Sequence, residues 1–252
     1  MKKLVAIILS LIFVITLSAC AEDTEVITVL TSSGYEPYQM VNEQGELIGF
    51  DIDLMEAIAD HLGWTIVWSD VDFDGIIASL QAGQAPLAIA GITPTPERAQ
   101  MVNFSSIYFN SEEGLLNYFV YNTNNPIEGL DQLEGKVIGA QLGTIQAELI
   151  TELAETYGFT VDLRNQNAQM IQEILSGRMD AVVTERLVAE TIVENNANLS
   201  LTPVDGTDSA DQFGNAIAVS KSFDQLDAIN EAIAALQADG TIAALVSKWF
   251  GE

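Results

Sequence analysis

Apolar positions along this chain follow two alternating rhythms. Residues 26–31 are apolar and β-branched and predict a strand. Leu54, Ile58 and Leu62 then stand four apart, which places one apolar face on a helix over residues 53–62, with Asp51 positioned to cap it. A strand over 65–69, a helix over 73–81 and a short, wholly apolar strand over 87–90 follow. The alternation resumes with strands at 115–121 and 137–140, a helix at 144–157, and then strand, helix, strand, helix over 160–163, 167–176, 181–184 and 186–195. A strand at 216–219 and helices at 225–238 and 241–249 close the chain. Regular alternation of this kind predicts an α/β fold of parallel sheets covered by helices. Polar, turn-rich breaks at 121–126 and 205–209 suggest two lobes, the second inserted into the first. The expected boundaries are 26–112 with 210–252 for the first lobe and 113–209 for the second.

The amino terminus has its own pattern. Lys2 and Lys3 precede an apolar run over residues 4–15, too short to span a bilayer comfortably, and the run leads to Leu17-Ser18-Ala19-Cys20. That tetrapeptide resembles the lipobox of bacterial lipoproteins. The resemblance implies that residues 1–19 are a signal peptide, that Cys20 carries a lipid, and that 20–25 form a tether to the membrane. An ordinary signal peptide with a stray thiol is the other reading. No second membrane span is visible, so an anchored extracytoplasmic domain is expected.

Composition narrows the chemistry. A formal net charge of −27 argues against nucleic acid and against anionic membrane surfaces as partners, while 48% hydrophobic and 8% aromatic content belong to a globular chain. Cys20 is the only cysteine, so no internal disulfide forms and no thiol nucleophile remains once it is lipidated. His61 is the only histidine and reads as the outer face near a helix end, so a Ser-His-Asp triad or a histidine-based zinc site has little to stand on. No metal or cofactor is expected.

One cation changes the picture. Arg98 is the only positive charge between Leu4 and Gly135. Thr95-Pro96-Glu97 reads as a helix start, which puts Arg98 in the first turn, the wrong end of the helix dipole for a cation. Its planar fork suits a carboxylate or a phosphate; a surface ion pair is the competing reading. In open α/β sheets ligands bind beyond the carboxyl ends of the strands. Four such ends are polar or glycine-rich: Thr31-Ser32-Ser33-Gly34-Tyr35, Gly91-Ile92-Thr93, Gln141-Leu142-Gly143-Thr144 and Thr184-Glu185-Arg186. A cleft between the lobes would gather all four beside Arg98.

Several stretches taken together resemble the family 3 extracellular solute-binding proteins, the polar amino-acid receptors of bacterial ABC importers. They are Gly45-Glu46-Leu47-Ile48-Gly49-Phe50-Asp51-Ile52-Asp53-Leu54, Ala90-Gly91-Ile92-Thr93 with Arg98, Gly143-Thr144, Ser176-Gly177-Arg178-Met179-Asp180-Ala181 and Ala238-Asp239-Gly240-Thr241. The resemblance implies a periplasmic-binding-protein-like clamshell, monomeric, that closes on one free amino acid and delivers it to an ABC permease. It further implies that Arg98 grips the α-carboxylate, aided by Gly91, Thr93 and the backbone at Gly143 and Thr144, and that Glu185 takes the α-ammonium where the family usually has aspartate. Tyr35 and Phe73 become aromatic walls. Ser32 stands where many members carry an acid, which favours a polar or neutral side chain over a cationic one; Gln141 points the same way, whereas Asp72 is a nearby source of acidity. Two other readings share the scaffold: an elimination enzyme resembling cyclohexadienyl dehydratases, with Glu185 as general acid, and a sensor that signals its closed state to a partner protein.

Overall fold

The computed structural model describes residues 24–110, 116–205 and 214–251. The expected signal peptide and Cys20 lie outside them, as do the expected crossings between lobes near 112–113 and 209–210. Strand β1 (Glu25–Thr31) already includes the last residue of the expected tether, because Glu25 is in register with Trp64.

Two five-stranded sheets organise the chain. The first combines β1 with β4 (Trp64–Asp70), β5 (Leu87–Ala88), β6 (Asn103–Phe104) and β12 (Ala218–Val219), in the order β4-β1-β5-β12-β6. The second uses β7 (Asn117–Asn122), β8 (Val137–Gln141), β9 (Thr160–Arg164), β10 (Ala181–Glu185) and β11 (Leu199–Pro203), in the order β11-β7-β10-β8-β9. A small hairpin, β2 (Met40–Val41) with β3 (Leu47–Ile48), completes the strands. Because β12 returns to the first sheet after the second is complete, the second lobe is an insertion in the first. The fold is therefore the two-lobed α/β clamshell.

The sheets are mixed rather than purely parallel. β1 pairs in parallel with β4 and β5, and β8 with β9 and β10, but β12 runs antiparallel to β5 and β6, and β7 to β10 and β11. Parallel neighbours are joined through helices. β7 and β12 instead follow the two passages between sheets, and so escape that constraint.

Helix α1 (Phe50–Leu62) starts three residues earlier than its apolar spacing suggests. Leu54 and Ile58 are fully buried, as expected, and α1 packs on α7 (Leu226–Ala238) and α8 (Thr241–Phe250). Lys248 Nζ and Trp249 Nε1 both donate to Asp53 Oδ2, at 2.6 and 2.7 Å, which ties the last helix to the first. The opposite face of the first sheet is covered by α2 (Ile76–Gln81), whose Ile76 and Leu80 bury against Leu30 and Ala88. In the second lobe, α4 (Ile145–Tyr157) lays Ala147 and Ile150 on Ile138 and Val183, while α5 (Asn167–Leu175) and α6 (Arg186–Asn195) cover the other side. Both lobes thus aim strand ends and helix starts at one seam.

Candidate functional site

Arg98 lies in the short helix α3 (Pro96–Met101), whose start is set locally: Thr95 Oγ1 accepts the Arg98 N–H at 3.2 Å and Pro96 takes the first position. The side chain turns inward and is only 9% exposed. Nη1 donates to the Thr93 carbonyl at 2.7 Å, and Nη2 crosses the seam to the Gly143 carbonyl at 2.9 Å. The guanidinium carbon stands 5.5 Å from the centre of the Phe73 ring. Among the described residues no carboxylate forms an ion pair with it. Burial lowers its pKa, and the Glu148 charge offsets part of that. The competing reading, a surface salt bridge, is thereby removed.

Between the lobes lies a small cavity lined by Tyr35, Phe73, Ala90, Gly91, Thr93, Arg98, Gln141, Thr144, Ile145, Gln146 and Glu185. Arg98 and Glu185 are the charged side chains of this lining. Glu185 ends β10, is 3% exposed, and its Oε1 has no hydrogen-bond partner among the described residues. Burial pushes its carboxyl up to about 7; the Asp51 charge adds to this, and the Tyr38 and Tyr35 hydroxyls oppose it. A buried cation without a counter-ion and a buried acid with a free oxygen thus share one small cavity. Each is costly to leave unpaired.

The sequence profile of the bacterial extracellular solute-binding proteins, family 3, matches residues 27–252. This chain belongs to that family. It is similar to the arginine-binding extracellular protein ArtP of Bacillus subtilis, with 33% identity over 99% of this chain and 98% of ArtP. It is also similar to an ancestral arginine-binding protein solved bound to arginine (37% identity, 89% of this chain, 98% of the other, TM-score 0.81). A structure of such an ancestral protein bound to glutamine matches with the same identity and TM-score over 90% of this chain. The ancestral amino acid-binding protein AncCDT-1, a precursor of cyclohexadienyl dehydratase, matches at 29% identity and TM-score 0.78 over 89% of this chain and 95% of its own.

In this solute-binding protein most of the expected site residues meet at the cavity, but several do so by routes the sequence does not announce. The Gly91 N–H is already engaged: it donates to Asp51 Oδ2 at 2.6 Å, while Tyr108 Oη donates to Asp51 Oδ1 at 2.8 Å. Asp51 is therefore not a helix cap; it braces the cavity floor, and burial pushes its carboxyl up to about 7 against the pull of those two donors. The Thr144 hydroxyl is committed as well, donating to the Gln141 carbonyl at 2.7 Å and capping α4 by accepting the Ala147 N–H at 3.2 Å. What α4 offers the cavity is its N-terminus, where Ile145 and Gln146 have no intrahelical acceptor for their N–H groups. Gln141 Nε2 is held by the Asn165 carbonyl at 3.0 Å, and Gln146 Nε2 by Asn117 Oδ1 at 3.1 Å.

Three residues sit elsewhere. Gly143 contributes its carbonyl to Arg98 from the rim. Ser32 is fully buried, is not part of the cavity lining, and its hydroxyl has no partner among the described residues. Asp72 accepts from Asn165 Nδ2 at 2.8 Å across the seam and stays outside the cavity. Asp51, Tyr108 and Gln146 are the participants that sequence reasoning missed. The sole advance signal was Asp51 within Gly49-Phe50-Asp51, because its partners lie far along the chain.

Proposed function

We propose that this protein captures one free α-amino acid between its lobes and presents it to an ABC-type permease, anchored outside the cytoplasmic membrane through Cys20. The carrying observation is that Arg98 and Glu185, the two charged side chains lining the cavity between the lobes, have no counter-ion among the described residues. A zwitterion satisfies both: its carboxylate takes the remaining Arg98 N–H groups and the amides at the start of α4, and its ammonium takes Glu185. Tyr35 and Phe73 then flank the side chain. The named binding proteins among the relatives support capture over chemistry. Elimination by Glu185 is the alternative, tested by incubation with prephenate or arogenate and product detection.

Two observations bear on the side chain. Relatives are named for arginine. Yet once the zwitterion has used Arg98 and Glu185, no charge in the lining is left for a cationic side chain. We therefore favour a neutral, hydrogen-bonding side chain such as that of glutamine. Calorimetry on ligand-stripped protein is expected to give micromolar or tighter binding of glutamine, about −8 kcal/mol or better, and weaker binding of arginine. Tight arginine binding with no response to glutamine overturns this preference; no response to any amino acid overturns the receptor itself.

Closure has a local requirement at Gly143. Its φ is +79°, and a Cβ there would come within 2.8 Å of the Asp74 Cα in the other lobe. Gly143→Ala is expected to weaken ligand binding about tenfold or more, because the lobes cannot come together. The ligand-free protein is expected to lose only about 1–2 kcal/mol, the cost of a left-handed alanine. Paired calorimetry and thermal melts check the split.

A further inference from the structure

We infer that Asn215 reads the end of the ligand's side chain, an assignment that rests on the amino-acid receptor reading above. Asn215 stands just before β12, and its backbone is fixed on both sides. Its N–H donates to the Phe109 carbonyl at 2.8 Å, and its own carbonyl accepts the Tyr108 N–H at 3.0 Å. The residue is fully buried, yet Oδ1 and Nδ2 both lack a hydrogen-bond partner among the described residues. A buried carboxamide with neither donor nor acceptor engaged is costly, and such groups are found where a ligand or an ordered water completes them.

Its position says which. Asn215 Nδ2 lies 3.5 Å from the point a Cβ on Gly91 would occupy, and the Tyr35 ring lies 3.4 Å from the same point. Gly91 and Tyr35 both line the ligand cavity. The Asn215 carboxamide therefore stands directly behind the cavity wall, where residue 91 has no side chain to separate the two. Gly91 has φ +59°, so few other residues would fit that backbone and come between them. The Gly91 N–H is taken by Asp51 and is no partner for Asn215. Next to Tyr35, Gln39 is fully buried with both side-chain polar atoms unpartnered among the described residues, and its carbonyl accepts the Gly34 and Tyr35 N–H groups at 3.1 Å. Carboxamides both donate and accept, so they match a neutral polar terminus, an amide or a hydroxyl, met directly or through one ordered water.

The test compares glutamine with methionine, which has similar length and no hydrogen-bonding terminus, on ligand-stripped wild type and Asn215→Leu, with arginine as a third titrant. Asn215→Leu is expected to weaken glutamine about tenfold and to leave methionine within about twofold, because the clamp on the α-groups is untouched. Asn215→Ala, needed should the leucine variant not fold, is expected to show the same split. Equal losses for glutamine and methionine mean a purely structural residue and overturn the assignment. So does an unchanged glutamine affinity, or a wild-type protein that ignores glutamine. A wild type that binds none of the three overturns the receptor reading instead.

Discussion

Arg98→Ala is expected to weaken amino-acid binding by at least about a hundredfold. The guanidinium is aimed by two carbonyls, Thr93 and Gly143, and by the Phe73 ring, and among the described residues it meets no carboxylate. In the proposed function its remaining N–H groups take the ligand's carboxylate. Charge-assisted hydrogen bonds contribute about 1.5–3 kcal/mol each, so losing two removes about 3 kcal/mol or more, two decades in Kd. The substitution also deletes the Arg98–Gly143 bond, one of the contacts that hold the lobes together. Arg98→Lys is expected to recover little, because an ammonium cannot reproduce two parallel donors and still reach both carbonyls. Stability should move the other way. A buried cation without a counter-ion burdens the ligand-free fold, so Arg98→Ala is expected to melt at the same temperature as wild type or higher. Calorimetry and thermal melts on stripped protein measure the two effects separately. Unchanged affinity for the natural ligand removes Arg98 from the site; a collapse of stability together with affinity makes it a structural residue.

That Arg98 was visible from sequence, while its surroundings were not, follows from the range of the interactions. Thr95 capping Arg98 is a contact over three residues, and the string Thr95-Pro96-Glu97-Arg98 contains all of it. Helix and strand alternation is local in the same sense, and most of the predicted elements are present. Strands β5, β6 and β12 are two residues long, and β12 finds β5 and β6 more than a hundred residues away. No periodicity carries that information. β11 and the β2–β3 hairpin were missed for the same reason, being too short or too polar to show a pattern. Asp51 is the clearest case. Local chemistry suggests a cap, but the helix begins before it, and its carboxylate is drawn inward by a backbone N–H forty positions later and by Tyr108. Thr144 was expected to offer the ligand its backbone at a helix start; its hydroxyl joins β8 to that helix, donating to the Gln141 carbonyl and accepting the Ala147 N–H. Asn215 lies between a turn-rich stretch and a short strand, where the sequence offers nothing to distinguish it from a loop residue.

The second large effect is expected from pH. In the proposed function Glu185 takes the ligand's ammonium, which it can do only as a carboxylate, yet burial pushes its pKa up to about 7. Asp51, itself near 7, acts on it from the cavity floor, and the Tyr38 and Tyr35 hydroxyls are the groups that favour its ionised form. An amino acid is a zwitterion throughout this range, so the titration that matters belongs to the receptor. Above pH 7 Glu185 is ionised and binding proceeds without proton exchange. Below it, binding must expel a proton, and the apparent affinity falls about tenfold per pH unit until the pKa of the liganded state, lowered by the ammonium, is reached. Between pH 8 and pH 5 affinity should therefore drop about a hundredfold, with proton release seen as a buffer-dependent binding enthalpy. Glu185→Gln is expected to flatten this profile, binding far more weakly than wild type at pH 8 and nearly equally at pH 5. Asp51→Asn is expected to move the midpoint to lower pH, since one negative charge no longer opposes ionisation of Glu185. A wild-type profile that stays flat from pH 8 to 5, or a Glu185→Gln variant that keeps the slope, excludes Glu185 as the ammonium's partner and leaves Arg98 as the only charged end of the clamp.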